Sequence, residues 1–275
     1  LFRSSNPYNF VFLILASGSP EHVRDEYTQR QTWAKRLPSN ARAIWLRGNS
    51  ESDFTLENST LWVPCEDIEI LKKTILGIDW LLENSNFTHF IRSNVSTYFN
   101  VEIFMKKIVE LGSSDYVAGF LERTALQGKP SDNQVFVSGA AICFPRSTAE
   151  TLTRLHPTKY QSWPDDVALS NFASENGVRR LFIPRSNLGY HHLAIPSCYI
   201  RCKSSSNSSL ATLRMILLEQ FFSTKIPKKP FVLLRLQVFE ILHSTFKLRN
   251  IINYIKTISN LFRSFIHYRI FLHSE

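Results

Sequence analysis

The sequence is poor in cysteine and glycine and has no long apolar run, and each shortage argues against a class of protein. Four cysteines, Cys65, Cys143, Cys198 and Cys202, are too few and too irregularly spaced for a disulfide framework. Cys198 and Cys202 resemble half of a zinc site, but no second ligand pair accompanies them, so free thiols in a reducing compartment are the expectation. The absence of a Gly-x-Gly-x-x-Gly argues against a Rossmann dehydrogenase. The apolar stretch Phe10 to Ala16 is too short to span a bilayer and ends in the turn Gly18-Ser19-Pro20, so it reads as a first strand and not as a signal peptide. Asn-X-Ser/Thr triplets begin at Asn58, Asn86, Asn94 and Asn207, but such triplets do not by themselves establish secretion. The expected location is cytoplasmic, peripheral at a membrane; if an anchor upstream of Leu1 was removed, the alternative is the Golgi lumen.

What is present is a chain of 275 residues with 44% hydrophobic residues, enough for a substantial core. The net charge of +9 is unevenly placed. Residues 211–275 carry ten Lys and Arg against three acids, net +7, and the rest of the chain is close to neutral. The chain therefore divides into a domain over 1–205 and a basic tail over 206–275.

Ser19-Pro20 offers an N-cap and a first helical position for a helix to about Arg36, and a strand follows at Ala43 to Arg47. From Glu66 to Asn84, Ile68, Leu71, Ile75, Ile78 and Leu82 recur in steps of three and four, the stripe of a helix lying on a sheet. Further strands are read at Phe90–Arg92, Asp115–Phe120 and Arg180–Ile183. Helices are read at Val101–Leu111, at Thr148–Leu155 and from Asp165 to Gly177. Gln134 to Phe144 reads as two strand pieces interrupted by the small residues Ser138-Gly139-Ala140, which permit close approach of a ligand or mark a bulge. Alternating strands and helices make an α/β class with a largely parallel sheet. In such sheets ligands sit outside the carboxyl ends of the strands, so the turn Asn94-Val95-Ser96 is the expected meeting point with a substrate.

Four separated pieces then resemble one family. Arg30-Gln31-Thr32-Trp33, Leu71 to Trp80, Val137-Ser138-Gly139-Ala140 and Pro164-Asp165-Asp166-Val167 are similar, in order and spacing, to motifs of the β-1,3-galactosyltransferase and Fringe group of glycosyltransferases. The resemblance covers about residues 10 to 192 and implies a GT-A fold and transfer of a sugar from a nucleotide donor, most simply a UDP-sugar, with inversion. The acceptor would be a hydroxyl of a glycan or lipid-linked glycan. It implies Asp166 as the base that takes the acceptor proton, with Asp165 assisting; capping of the helix is the alternative role for Asp165. Arg30, Lys73, Arg92, Asn94, Ser96, Ser138, Gly139, His191 and His192 become candidate donor contacts, Trp163 a candidate acceptor contact, and Arg24 and Arg185 further phosphate candidates.

The departure is at the centre. Where the family carries Lys-x-Asp-Asp-Asp-Val-Phe-x-Asn, this chain has Arg92-Ser93-Asn94-Val95-Ser96-Thr97-Tyr98-Phe99-Asn100. The family's acids hold a divalent cation that bridges the sugar diphosphate, and neutral Asn and Ser are weaker ligands for a hard cation. Three readings stay open: a transferase without a tightly bound metal, Mn²⁺ or Mg²⁺ binding only weakly, a nucleotide-sugar- or glycan-binding pseudoenzyme, or a membrane-associated scaffold. In the tail, Lys225 to Pro230 forms a basic break. Beyond it Leu248, Ile251, Ile255, Ile258, Phe262 and Phe265 make a stripe suited to an anionic membrane surface, with packing on its own domain or on a second copy as the alternative. No nucleic-acid recognition motif accompanies the charge.

Overall fold

The run Phe10–Leu15 is apolar at every position, and in the computed structural model it forms a strand, β1, buried along its whole length. Strands that read this way are covered on both faces. The structure describes residues 9–51, 53–125, 133–160, 163–187, 197–202 and 210–223. Its strands continue with β2 (Ala41–Gly48), β3 (Thr55–Glu57), β4 (Thr60–Val63), β5 (His89–Asn94), β6 (Thr97–Phe99), β7 (Tyr116–Ala125), β8 (Asn133–Pro145), β9 (Arg179–Phe182), β10 (Arg185–Asn187) and β11 (Tyr199–Arg201). The helices are α1 (Pro20–Gln31), α2 (Ile70–Asn84), α3 (Val101–Leu111), α4 (Arg146–Leu152), α5 (Asp165–Glu175) and α6 (Leu210–Ser223).

Eight strands form one sheet in the order β3-β4-β2-β1-β5-β8-β7-β9. β4, β2, β1 and β5 are parallel neighbours, as are β7 and β9. β8 runs against both β5 and β7, and β3 is an antiparallel edge. The chain lays β2 and β4 on one side of β1, then returns through α2 to place β5 on the other side. That reversal falls between β1 and β5, and the crevice outside the carboxyl ends of strands at such a reversal is where α/β sheets bind ligands. A small sheet, β10-β11-β6, stands beside this edge.

One face of the sheet is filled by aromatic side chains. Phe99 meets Phe12 at 5.1 Å, Trp33 at 4.9 Å and Phe104 at 4.9 Å between ring centroids, all edge to face. Each such pair adds roughly 0.5–1.5 kcal/mol beyond its burial. The other face is aliphatic and takes Leu71, Ile75, Ile78 and Leu81 of α2.

The differences from sequence expectation have local causes. α1 stops at Gln31, and Trp33–Arg36 continues as a 3-10 turn, because Thr32 leaves helical geometry (φ −111°, ψ −116°) and Trp33 drops into the aromatic core. α2 begins at Ile70, so Ile68 is outside the helix and 86% exposed instead of facing the sheet. β8 is one strand and not two. Its ladder with β7 nevertheless slips, Ile142 facing Gly119 while Val137 faces Leu121, so that residues 138–140 arch while Ala141 stays paired with Ser93. The segment 210–223, assigned to the tail, packs as α6 with Ala211, Met215 and Leu218 in the core. The stripe from Leu248 to Phe265 lies outside the described residues. No helix among the described residues is long and apolar enough to cross a membrane.

A Cβ at Gly119 would fall 2.3 Å from the Ala141 carbonyl oxygen and 2.5 Å from a Val137 methyl. Gly119→Ala should therefore cost about 1–3 kcal/mol through overpacking, read as a lower urea midpoint at unchanged slope. An unchanged midpoint would mean that the arch moves aside freely.

Candidate functional site

Arg92 lies in the register of β5 between Leu13 of β1 and Ile142 of β8, and it is only 2% exposed. A buried guanidinium needs acceptors. Nη2 donates to Asp165 Oδ2, and Nη1 donates to the carbonyl of Gly139 and, at 3.3 Å, to Asn94 Oδ1. One side chain thus ties the end of β5, the arch of β8 and the first turn of α5 together. Gly139 is the residue that allows it, since a Cβ there would lie 2.5 Å from Nη1 and 3.0 Å from Asp166 Oδ2.

The same glycine donates its N–H to Asp166 Oδ2 at 2.8 Å, and the Val167 N–H reaches Oδ1 at 2.9 Å. Burial, and then the neighbouring charge of Asp165, push the Asp166 carboxyl above the ordinary aspartate range; Arg92 and the two N–H groups offset this only in part. Neither acid holds the N-cap position, which is Pro164 and makes no side-chain cap bond. Asp165 is held sideways by Arg92, and Asp166 by the arch.

The turn after β5 is braced from beneath by Gln29, a residue that motif reading passed over. Its Nε2 donates to the carbonyls of Asn94 (3.2 Å) and Thr97 (2.9 Å), and its Oε1 accepts from Trp45 Nε1 (3.1 Å). Thr97 Oγ1 in turn donates to the Ala140 carbonyl at 2.8 Å. The signal was present in the sequence: Gln29 sits four residues before buried Trp33, on the inward side of α1. Ser96 is buried at this turn, and its carbonyl accepts the N–H of Cys202.

Asp165, Asp166, Arg92, Asn94 and Gly139 come together; several other candidates do not join them. Arg30, in the last turn of α1, bonds Glu26, the Asn58 carbonyl and Thr60, and stacks 3.7 Å over Trp45. It has been carried away from the ligand crevice because α1 runs back along the sheet. Lys73 is buried, and its three N–H groups are spent on the carbonyls of Ala16 and Asp67 and on Asp67 Oδ1, at 2.8–2.9 Å. It acts on the crevice by holding Asp67, which accepts the N–H groups of Gly18 and Gly48 at the ends of β1 and β2. Burial alone would raise the Asp67 carboxyl, but Lys73 and these N–H groups together hold it below its ordinary value.

Arg185 donates to Ser138 Oγ at 2.6 Å and pairs with Glu122 at 2.6 Å. Arg24 is exposed on α1. Trp163 rests edge to face on Tyr160, half-buried, just before α5. His191 and His192 lie outside the described residues. All four cysteines are buried free thiols, and burial pushes Cys65 and Cys198 up to about 11.

Asn94 Oδ1, Asp165 Oδ2 and the Gly139 carbonyl, the oxygens that converge here, already face the Arg92 guanidinium. A metal among them would meet a fixed positive charge instead of an anionic cage. Arg92 is buried, and both of its terminal nitrogens donate to these protein oxygens.

No family model matches the chain, and no curated protein matches it in sequence. Among solved structures it is similar to a glycosyltransferase involved in the glycosylation of the major capsid of PBCV-1. That match has a TM-score of 0.50 at 10% identity and covers 76% of this chain and 99% of that one. The apo-form glycosyltransferase GlyE of Streptococcus pneumoniae TIGR4 aligns with a TM-score of 0.43 at 10% identity over 72% of this chain and 55% of that one. A197 from STIV aligns at 0.36 and 12% identity over 62% of this chain and 80% of that one. The first likeness establishes a glycosyltransferase fold; the other two carry no further weight.

Breaking a buried ion pair on one side leaves a charge without its partner, at a cost of roughly 3–5 kcal/mol. Arg92→Met should destabilise the fold on that scale, and the double variant Arg92→Met/Asp165→Leu should recover most of the loss in urea titrations. Equal losses in the two would show that the pair is not coupled.

Proposed function

We propose that the protein is an inverting glycosyltransferase in which Asp166 is the base. The observation that carries this reading is a desolvated carboxylate, its carboxyl raised above the usual range, fixed beside the ligand crevice of a glycosyltransferase fold. The nucleotide-sugar donor, a UDP-sugar by resemblance, lies across the carboxyl ends of β1 and β5. The acceptor hydroxyl of a glycan or lipid-linked glycan approaches Asp166 from the α5 side. The acceptor oxygen bonds to the anomeric carbon while the bond from that carbon to the diphosphate oxygen breaks, so the electron pair leaves with the nucleoside diphosphate. The acceptor proton passes to Asp166, and the anomeric centre inverts. A raised pKa suits this role, because a base works best when its pKa approaches the working pH.

Asp165 and Arg92 fix α5 against the arch so that Asp166 keeps its aim, and the Asn94 amide is left to hydrogen-bond a donor hydroxyl or phosphate oxygen. A divalent cation would come with the diphosphate and be held weakly, since Asn94 Oδ1, Asp165 Oδ2 and the Gly139 carbonyl face the Arg92 guanidinium. The basic part of the tail from Lys225 onward is assigned to an anionic membrane surface.

Asp166→Asn should lower turnover by on the order of 10²-fold or more, the scale of losing a general base, with donor affinity nearly kept. Transfer measured across a panel of nucleotide sugars checks this, and undiminished turnover would move the base elsewhere. Mn²⁺ titrated into the donor-free protein, followed by loss of the free-ion EPR signal, should bind weakly; tight saturable binding would restore a protein-built metal site.

A further inference from the structure

β5, β7 and β9 point the same way, so the ends of β7 and β9 reach the same edge of the sheet as the turn after β5. At that edge Phe182, the last residue of β9, is 52% exposed. Isolated exposed apolar side chains are common, but this one is not isolated. Its ring lies 5.8 Å from that of Phe120, tilted by 53°. Phe120 is in turn covered by the Arg185 guanidinium at 4.2 Å, and its N–H is fixed by the Tyr199 hydroxyl at 2.9 Å. The N–H of Ile183 on the Gly119 carbonyl holds the strand end that carries Phe182.

The polar rim of this platform is equally fixed. Arg185, itself nine-tenths buried, pairs with Glu122, whose carboxylate is partly open to water, and donates to Ser138. Ser138 is the neighbour of Gly139, whose N–H holds Asp166. A continuous set of contacts therefore runs from the proposed base to an aromatic surface with a carboxylate at its edge. A pyranose has the matching chemistry. Its C–H face needs an apolar plane, and its equatorial hydroxyls need acceptors at the rim.

From this geometry we infer that Phe182, Phe120 and Glu122 form a saccharide subsite for the acceptor, receiving a sugar unit beyond the one whose hydroxyl reacts at Asp166. The inference rests on the transferase reading for its role but not for its binding. The ligand class is a neutral oligosaccharide, because Arg185 already neutralises Glu122 and leaves no net charge to select an ionic partner.

Two measurements separate the claims. Saturation-transfer NMR with a panel of free di- and trisaccharides of galactose, glucose, mannose and N-acetylglucosamine reads the subsite without any donor. Donor hydrolysis in the absence of acceptor reads the transferase centre without the subsite. Phe182→Ala should weaken saccharide binding by about tenfold, the equivalent of ~1.4 kcal/mol for one lost aromatic contact, and Glu122→Gln should weaken it less. In Phe182→Ala, which breaks none of the contacts leading to Asp166, donor hydrolysis should be unchanged, and for transfer the acceptor KM should rise while kcat holds. Saccharide binding by the wild type without hydrolysis of any donor would keep the subsite and overturn the transferase reading. No saccharide signal in the wild type, or equal signals in wild type and Phe182→Ala, would overturn the subsite.

Discussion

The guanidinium of Arg92, buried among three oxygens, is the constraint on which the proposed centre depends. A charge removed from water has to be compensated locally or it destabilises the fold. Here the compensation is spread over three elements that are far apart in sequence: the end of β5, the arch of β8 and the start of α5. Satisfying the cation therefore assembles the site. Gly139 has no side chain because the guanidinium and the Asp166 carboxylate both press on it, and its carbonyl and N–H serve one each.

Around this centre the fold supplies rigidity from two sides. Beneath the turn, the Gln29 amide ties α1 to Asn94 and Thr97, and the Phe12, Trp33, Phe99 and Phe104 rings lock β6 and α3 onto the sheet. Across the crevice, Lys73 and Asp67 bind the ends of β1 and β2 through backbone groups. Both devices use buried polar atoms with their partners in place, which specifies one arrangement where an apolar core would tolerate several. α6 adds a third support: Glu219 accepts from Tyr98 and pairs with Arg36, and Arg214 donates to the Cys202 carbonyl.

Much of this was readable in the sequence, and the failures share a cause. The continuous apolar run located β1, apolar spacing located α2, and start and stop signals located α5. The small residues at 138–140 marked a real irregularity, although the strand runs through it. Motif likeness placed Asp165 and Asp166 beside Arg92 and Asn94. It could not say whether a conspicuous cation is free or already partnered, so Arg30 and Lys73 read as phosphate contacts when they are internal ties. Partners such as the Asn58 carbonyl or Asp67 lie where the chain turns, in short strands and loops such as β3 and β4 that carry little periodicity. Gln29 escaped for the complementary reason: a neutral side chain between conspicuous neighbours draws notice only once its acceptors are known.

A buried acid beside a second acid must either hold its proton longer than a solvated one or be neutralised by its cation, and at Asp166 burial and the charge of Asp165 prevail over Arg92. Carboxyl-carbon NMR of aspartate-labelled protein, with the Asp166 signal assigned by its loss in Asp166→Asn, reads this directly and needs no substrate. The expected result is a titration midpoint for Asp166 above the ordinary aspartate range. A midpoint at or below that range would mean that Arg92 and the N–H groups fully stabilise the carboxylate, leaving it too weak a base for the role assigned to it.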